Sequence, residues 1–258
     1  MSEAGFDLSL VWPALIAGLL VTATHVPLGI QVLGRGIVFI DLAVAQIAGL
    51  GVIMADWAGF EPHGWLVQVS ALSAALAGAL LLTWTEKIWP EVQEAVIGVM
   101  FVLASNGAIL LLASNPHGAE HLRNLLVGQI LWVNAARLPV EALVYAGIIG
   151  IWFGLGERIG RVGFYVLFAC AVTVSVQLVG LYLVFITLIV PALATRYFLR
   201  RRIAVSYALG AAGYALGLAL SLLWDFPPGP LIVYSMTALG LLLFLAGPGR
   251  PTAPAAAA

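Results

Sequence analysis

The sequence predicts an all-α protein that crosses a membrane several times, and its composition carries that prediction. Of the 258 residues, 62% are hydrophobic and only 9% are charged, and the mean hydropathy is +1.07. A typical soluble domain is about a quarter charged. The apolar residues form repeated runs of about 20 residues, long enough for a helix to cross the ~30 Å hydrocarbon core of a bilayer. We therefore expect a polytopic helical protein in which each span satisfies its own backbone hydrogen bonds.

Nine apolar stretches are predicted to be the spanning helices of a single transmembrane domain, residues 1–247. The run from Phe164 to Thr195 is too long for one comfortable crossing, so we divide it near residues 175–180. Leaving that run whole gives eight spans, which is the alternative. The other spans are predicted at about 9–32, 37–57, 65–85, 94–113, 138–155, 203–224 and 230–246.

Two segments are predicted to lie outside the spans. Residues 122–134 are apolar but too short to cross a bilayer, which favours an interfacial or re-entrant helix. The tail at 248–258 is rich in proline and alanine, and we expect it to be disordered. The acidic N-terminus lacks the basic region of a signal peptide, so the first span is predicted to be retained.

The distribution of basic residues predicts how the chain is oriented. With nine alternating spans, all eleven Lys and Arg residues except Arg123 and Arg137 fall on one face. Cytoplasmic loops collect Lys and Arg, so that face is predicted to be cytoplasmic. The N-terminus would then lie outside and the C-terminus inside the cell.

The stretch 179–202 combines an uncharged run, a proline and a basic cluster. Pro191 lies near the end of the run, and four arginines follow it, at positions 196, 200, 201 and 202. A kink next to a basic cluster marks one membrane face. The cluster is interpreted either as a topology signal alone or as a contact for a cytoplasmic partner.

The sequence also excludes several kinds of chemistry. Cys170 is the only cysteine, so there is no internal disulfide and no multi-cysteine metal site. The chain has no Gly-x-x-x-x-Gly-Lys-[Ser/Thr] loop for a nucleotide, no His-Glu-x-x-His and no Gly-x-Ser-x-Gly. The formal net charge of −1 gives no indication of nucleic-acid binding. Catalysis by this chain alone is not expected.

Four segments resemble the integral-membrane permeases of ABC importers for zinc, manganese or iron. The most specific is VGLYLVFITLIVPALATR at 179–196, and the others are PEVQEAVIG at 90–98, HGAEHLRNLLVGQILWV at 117–133 and DFPPGPLIV at 225–233. The resemblance extends from about residue 27 to residue 233. It implies ATP-driven inward transport of a divalent metal by alternating access, and a fold related to the vitamin B12 and siderophore permeases.

The same resemblance implies partners and a location. Family members form a permease homodimer in the bacterial cytoplasmic (inner) membrane, with cytoplasmic ATPases and an extracytoplasmic metal-binding protein. ATP would be bound by the partner subunit, and the metal would be cargo, so no resident cofactor is expected. The coupling element that docks on the ATPase is implied at Pro191, Ala192, Arg196, Arg200, Arg201 and Arg202.

The second span departs from the family pattern. Many members carry Asp-x-x-x-His there, two ligands about 40° apart on one helix face. Here the stretch reads FIDLAVAQIAGLG, with Gln46 at the histidine position, Leu42 at the aspartate position and Asp41 one residue early. Asp41 and Gln46 are about 140° apart on a helix and do not share a face. The motif therefore does not define which metal is carried.

Several polar residues remain candidates for the metal pathway. Asp41 is either a pathway carboxylate or a snorkelling charge paired with Arg35, and Gln46 is either an oxygen donor or a helix–helix hydrogen bond. His25 is a possible ligand beside the kink residue Pro27. In the outer loop, His117 and His121 flank Glu120 and offer ligand types that suit zinc or manganese.

A transporter of a different class is kept as the alternative. A proton-coupled secondary transporter would use intramembrane carboxylates, here Asp41, Glu94 or Glu141, as its proton relay. Glu94 also has a structural interpretation, because an acidic residue in the first turn of a helix is stabilised by the helix dipole.

Overall fold

The computed structural model describes residues 8–60, 64–112 and 130–248, and within these ranges the regular structure is entirely helical. The prediction of an all-α fold is confirmed. All the helices except α7 are long and apolar enough to cross a membrane. The helices are α1 (Leu8–Arg35), α2 (Ile40–Trp57), α3 (Trp65–Ile88), α4 (Gln93–Leu112), α5 (Leu138–Leu155), α6 (Gly160–Val179), α7 (Leu181–Ala194), α8 (Arg202–Trp224) and α9 (Pro228–Ala246).

The long apolar run is divided where the sequence predicts. Helix α6 ends at Val179, and Gly180 has a φ of +88°, a conformation that glycine adopts without the steric cost of a side chain. The second part, α7, has 14 residues and is about 21 Å long, shorter than a bilayer core. The described residues thus form eight long helices and one short apolar helix where nine spans were predicted.

One cluster of charges shows that three helix ends lie at the same end of the bundle. Glu86 near the end of α3 lies 3.3 Å from Arg161 at the start of α6 and 3.9 Å from Arg35 at the end of α1. The Arg35 guanidinium also lies over the ring of Phe164, 4.2 Å from its centroid. These three ends are the ones that the predicted alternation places on a common face.

Helix α1 continues through a proline that was expected to interrupt the first span. Pro27 has no N–H, so the carbonyl of Ala23 lacks its normal partner in the helix. The Tyr207 hydroxyl of α8 donates to that carbonyl at 2.9 Å. A side chain from another helix therefore replaces the missing hydrogen bond, and α1 runs unbroken to Arg35.

A stripe of small residues, spaced four apart on α8, lies against α9. A methyl group at Gly213 would lie 2.8 Å from Cβ of Met236, and one at Gly217 would overlap the backbone of Ile232. Ser221 donates to the carbonyl of Phe226 at 2.6 Å, closing the turn between the two helices. Small residues thus allow the two backbones to approach closely.

The Gly217→Ala variant is expected to destabilise the protein, because the added methyl forces α8 and α9 apart. Overpacking of this kind costs about 1–3 kcal/mol. The matched control is Gly150→Ala on α5, where nothing lies within 4 Å of the added methyl and alanine favours a helix by about 0.5–1 kcal/mol. Thermal unfolding in detergent should show a lower midpoint for the first variant only. Equal midpoints for the two variants would contradict the tight α8–α9 contact.

Candidate functional site

Asp41 is a fully buried carboxylate in the first turn of α2. Neither of its oxygens has a hydrogen-bond partner among the described residues. The snorkelling alternative required a pair with Arg35, but Arg35 contacts Glu86 and Phe164 instead. A buried carboxylate is costly unless it is paired, protonated or bound to a cation. Its burial within a single chain means that a cation reaches it only if the surrounding helices move.

Glu94 adds a second carboxylate at the same end of α2. Its Oε1 accepts a hydrogen bond of 3.2 Å from the backbone N–H of Phe39, the residue just before α2, and its Oε2 is buried without a partner. The start of α2 has no capping side chain of its own, so Glu94 on α4 supplies an acceptor to the N–H groups left free there. Glu94 lies in the first turn of its own helix, as its dipole interpretation requires. The contact with Phe39 on a neighbouring element was not predicted from the sequence.

Gln46 lies elsewhere on α2 and lines a separate small cavity of about 10 Å³. Gln46 is 8% exposed. The cavity is roughly large enough for a single water molecule. Its lining residues are Ala45, Gln46, Gly49, Ile53, Ala108, Val176 and Leu181. Gln46 supplies the polar side chain of this lining, and Asp41 is not part of it.

His25 is buried in α1 and is held by its own helix. Its Nδ1 lies 3.0 Å from the carbonyl of Val21 and 3.0 Å from the hydroxyl of Thr24, while Nε2 has no partner among the described residues. A proton on Nδ1 would leave the Nε2 lone pair free for a ligand. However, no group of three or more His, Cys, Asp and Glu residues is assembled within the part of the chain that the structure describes.

The predicted outer-loop ligands fall on a segment that is not described. His117 and His121 lie within 113–129, and most of the predicted interfacial segment 122–134 is also in that range. The Pro/Ala-rich tail from residue 249 onward lies outside the described residues as well. These assignments remain predictions.

The six implied coupling residues, around the segment between α7 and α8, fall into three groups that differ in their surroundings. Pro191 and Ala192 are buried near the end of α7. The exposed side chains belong to the irregular turn at 195–201 and include Arg200, Arg201 and Leu199, the last being 92% exposed.

The remaining two arginines each contact other residues of the same chain. Arg196 is exposed, but its guanidinium lies over the rings of Tyr197 and Phe244, at 4.7 and 4.9 Å from their centroids. Arg202 is half-buried and donates to the carbonyl of Ala192 at 3.1 Å. All four arginines were assigned the same implied role from the sequence, because a sequence does not show which residues of other helices a side chain contacts.

The match to a family model covers nearly the whole chain. Residues 7–155 and 149–247 match the ABC 3 transport family. Together with the described helices, this match defines the class of protein as a multi-pass membrane permease. The chain belongs to the ABC 3 transport family, and the resemblance found in its motifs is confirmed.

Individual relatives are about one-quarter identical to this chain over the aligned residues. A probable iron transport system membrane protein of Haemophilus influenzae is 26% identical over 203 residues, covering 70% of this chain and 71% of the relative. ZnuB, the membrane protein of the high-affinity zinc uptake system of the same organism, is 23% identical over 246 residues, covering 87% and 92%. YfeC of Yersinia pestis, from a chelated iron transport system, is 25% identical over 214 residues, covering 74% and 72%.

Two solved structures share the fold. A chain of PsaBC from Streptococcus pneumoniae in complex with Fab superposes with a TM-score of 0.74 at 22% identity, covering 94% of this chain and 93% of the other. An inward-facing putative metal-chelate type ABC transporter gives a TM-score of 0.66 at 16% identity, covering 91% and 85%. At these identities the similarity establishes the fold alone.

Proposed function

We propose that this chain is the membrane-spanning subunit of an ATP-driven importer of divalent transition metal ions: zinc, manganese or iron. The observation that carries the proposal is the family match over residues 7–155 and 149–247. The names of relatives from iron and zinc systems support metal as the cargo. The buried Asp41 carboxylate, which has no protein partner among the described residues, is consistent with a cationic cargo.

The proposed mechanism assigns a role to each group of candidate residues. A divalent ion that crosses a hydrocarbon core needs negative charge or oxygen donors along its path. Asp41 supplies the charge, Gln46 an amide oxygen, and His25 a nitrogen on α1. Movement of the helices opens and closes access to these groups, and a separate ATPase drives that movement through the turn at 195–201.

The proposal includes the partners and the orientation. Two copies of the chain form the permease, a cytoplasmic ATPase binds each copy, and an extracytoplasmic protein delivers the metal. The chain lies in the bacterial-type cytoplasmic membrane with its N-terminus outside and its C-terminus inside. The charge asymmetry supports this orientation, because it places most of the Lys and Arg residues on the cytoplasmic face.

The test is metal uptake by the permease reconstituted in liposomes with its cognate ATPase. Zinc, manganese and ferrous iron are supplied separately, and we expect uptake of at least one of them to require ATP. Omitting ATP, or using an ATPase that cannot hydrolyse it, should abolish uptake. Absence of ATP-dependent uptake of all three metals would overturn the proposed function.

The proton-coupled alternative has one observation in its favour. Asp41, Glu94 and Glu141 each carry at least one buried oxygen without a partner in the described part of the chain, as expected of proton-carrying groups. A pH gradient imposed on liposomes without ATPase would drive uptake if this alternative held. The family match favours the ATP-driven function, and the two experiments separate the mechanisms directly.

The outer-loop histidines provide a second prediction. If His117 and His121 capture metal before it enters the spans, replacing both with alanine should raise the metal concentration needed for half-maximal uptake several-fold. The maximal rate should stay near that of the parent, because the residues in the spans are unchanged. The control is His63→Ala, between the predicted spans 37–57 and 65–85. Superimposable uptake curves for the parent and the double variant would remove the two histidines from the pathway.

A further inference from the structure

The end of α7 is joined to the start of α8 by a set of buried polar contacts. Thr195 Oγ1 lies 2.7 Å from the carbonyl oxygen of Pro191, and Ser206 Oγ lies 3.2 Å from the same oxygen. The two hydroxyls lie 2.7 Å from each other. Arg202 donates to the neighbouring carbonyl of Ala192 at 3.1 Å. We refer to Thr195, Ser206 and Arg202 as the α7–α8 clamp.

The clamp adds donors to carbonyls in the last turn of α7, where the regular hydrogen bonds of a helix run out. The backbone N–H of Thr195 donates to the Pro191 carbonyl at 3.3 Å, and the two hydroxyls add side-chain contacts around that oxygen. Thr195 and Ser206 are fully buried, so water does not substitute for their contacts. Two hydroxyl protons are shared among three short contacts, and removing either hydroxyl leaves a buried oxygen with fewer donors. The clamp therefore fixes the direction of α7 relative to the turn at 195–201 that follows it.

Helix α7 lies against the residue that precedes α2 and beside the cavity lined by the middle of α2, close in sequence to both candidate pathway residues. The ring of Phe185 stacks on Phe39, two residues before Asp41, with 6.3 Å between centroids and 7° between planes. Leu181, at the other end of α7 from the clamp, lines the cavity that contains Gln46. The short helix thus connects the exposed turn to both candidate sites.

The middle of α7 is also packed closely, against α1 and α8. The carbonyl of Leu188 contacts Gly29 of α1, where a methyl group would overlap it. Thr187 Oγ1 lies 3.0 Å from the hydroxyl of Tyr214 on α8. Close-packed interiors transmit displacement rather than absorb it. A shift of α7 is therefore passed on to its neighbours.

We propose that Thr195, Ser206 and Arg202 are positioning residues that transmit movement of the 195–201 turn to α7, and through α7 to the surroundings of Asp41 and Gln46. This inference rests on the proposed function, in which an ATPase acts on that turn. Arg200, Arg201 and Leu199 face outward and bind the partner, whereas the clamp conveys the partner's movement. Binding of the ATPase and coupling to it are thus assigned to different residues.

The experiment compares permease–ATPase complexes in liposomes and measures three quantities for each. These are the amount of ATPase bound, the rate of ATP hydrolysis and the metal taken up per ATP hydrolysed. The variants are Thr195→Val, Ser206→Ala and Arg202→Leu. The control is Thr237→Val on α9, whose exposed hydroxyl bonds only to the carbonyl of Val233 in its own helix, at 2.7 Å.

The clamp variants are expected to bind the ATPase as the parent does but to take up at least fivefold less metal per ATP hydrolysed. The double exchange Thr195→Ser with Ser206→Thr keeps both hydroxyls and should restore the parental ratio. The control variant should keep that ratio throughout. Arg202 is only half-buried, so Arg202→Leu tests the proposal even if a buried hydroxyl is needed for folding.

Two results would overturn the proposal. In the first, the ratio of metal to ATP is parental in Thr195→Val, Ser206→Ala and Arg202→Leu. In the second, the variants lose ATPase binding together with uptake, which makes these residues part of the docking surface or of the general fold. Failure of the parent to take up any metal with ATP is a different outcome, because it rejects the proposed function itself.

Discussion

Replacing Asp41 with asparagine is expected to lower metal uptake at least tenfold while the amount of protein in the membrane stays unchanged. Asparagine keeps the size of the side chain and removes its charge, so a divalent ion loses its main compensation within α2. A tenfold loss corresponds to a barrier increase of about 1.4 kcal/mol. Uptake of zinc, manganese and ferrous iron by ATPase-containing liposomes is the measurement.

The structure adds a second expectation for the same variant. Both Asp41 oxygens are buried without hydrogen-bond partners in the described residues, so the charge is a cost to the folded protein. Asp41→Asn should therefore leave the thermal midpoint unchanged or raise it. A functional residue that opposes stability gives lower uptake together with equal or greater stability. A purely structural residue would lower both.

The control for this variant is Asp56→Asn, near the other end of the same helix, where the side chain is only half-buried. That change should leave uptake near the parental level. Parental uptake in Asp41→Asn itself, at matched protein levels, would exclude Asp41 from the pathway. The cation route would then be sought at Gln46 and His25.

The sequence predicted the helices well because hydrophobic length is a local property. Helix α5 occupies the predicted range, Leu138–Leu155, and the long apolar run breaks at Gly180, within the predicted interval. Two carboxyl groups show the limit of such local inference. Glu86 bridges Arg35 and Arg161, and Glu94 accepts from the backbone of Phe39. These partners come from helices distant in sequence, and no periodicity within a single helix indicates them.

The candidate site was predictable only in part for the same reason. Helical spacing predicted that Asp41 and Gln46 do not share a face of α2, and in the structure Asp41 does not line the cavity beside Gln46. The sequence also showed that Asp41 is an unusual residue for a span. It could not show that Arg35 is engaged elsewhere, because that depends on how α1, α3 and α6 pack. Likewise, the division of the four arginines by role depends on contacts with α7 and α9.

Replacing Arg200 and Arg201 together with glutamate is expected to abolish co-purification of the ATPase while the permease still inserts into the membrane. Both side chains are exposed on the turn at 195–201, next to Leu199. Docking by this turn requires an acidic groove on the ATPase, a property that the proposal assigns to the partner. Reversing two charges would convert attraction into repulsion there, an effect that is strongest at low ionic strength.

The matched control reverses two other exposed basic residues on the same predicted face, Lys87→Glu with Arg158→Glu. The net change in charge is identical, so a general effect on topology or expression would affect both variants equally. We expect the ATPase to remain bound only in the control. If Arg200→Glu with Arg201→Glu retains the ATPase at low salt, the cluster serves orientation alone. Loss of the ATPase in the test variant but not in the control would assign docking to this turn, because charge reversal elsewhere on that face does not reproduce the effect.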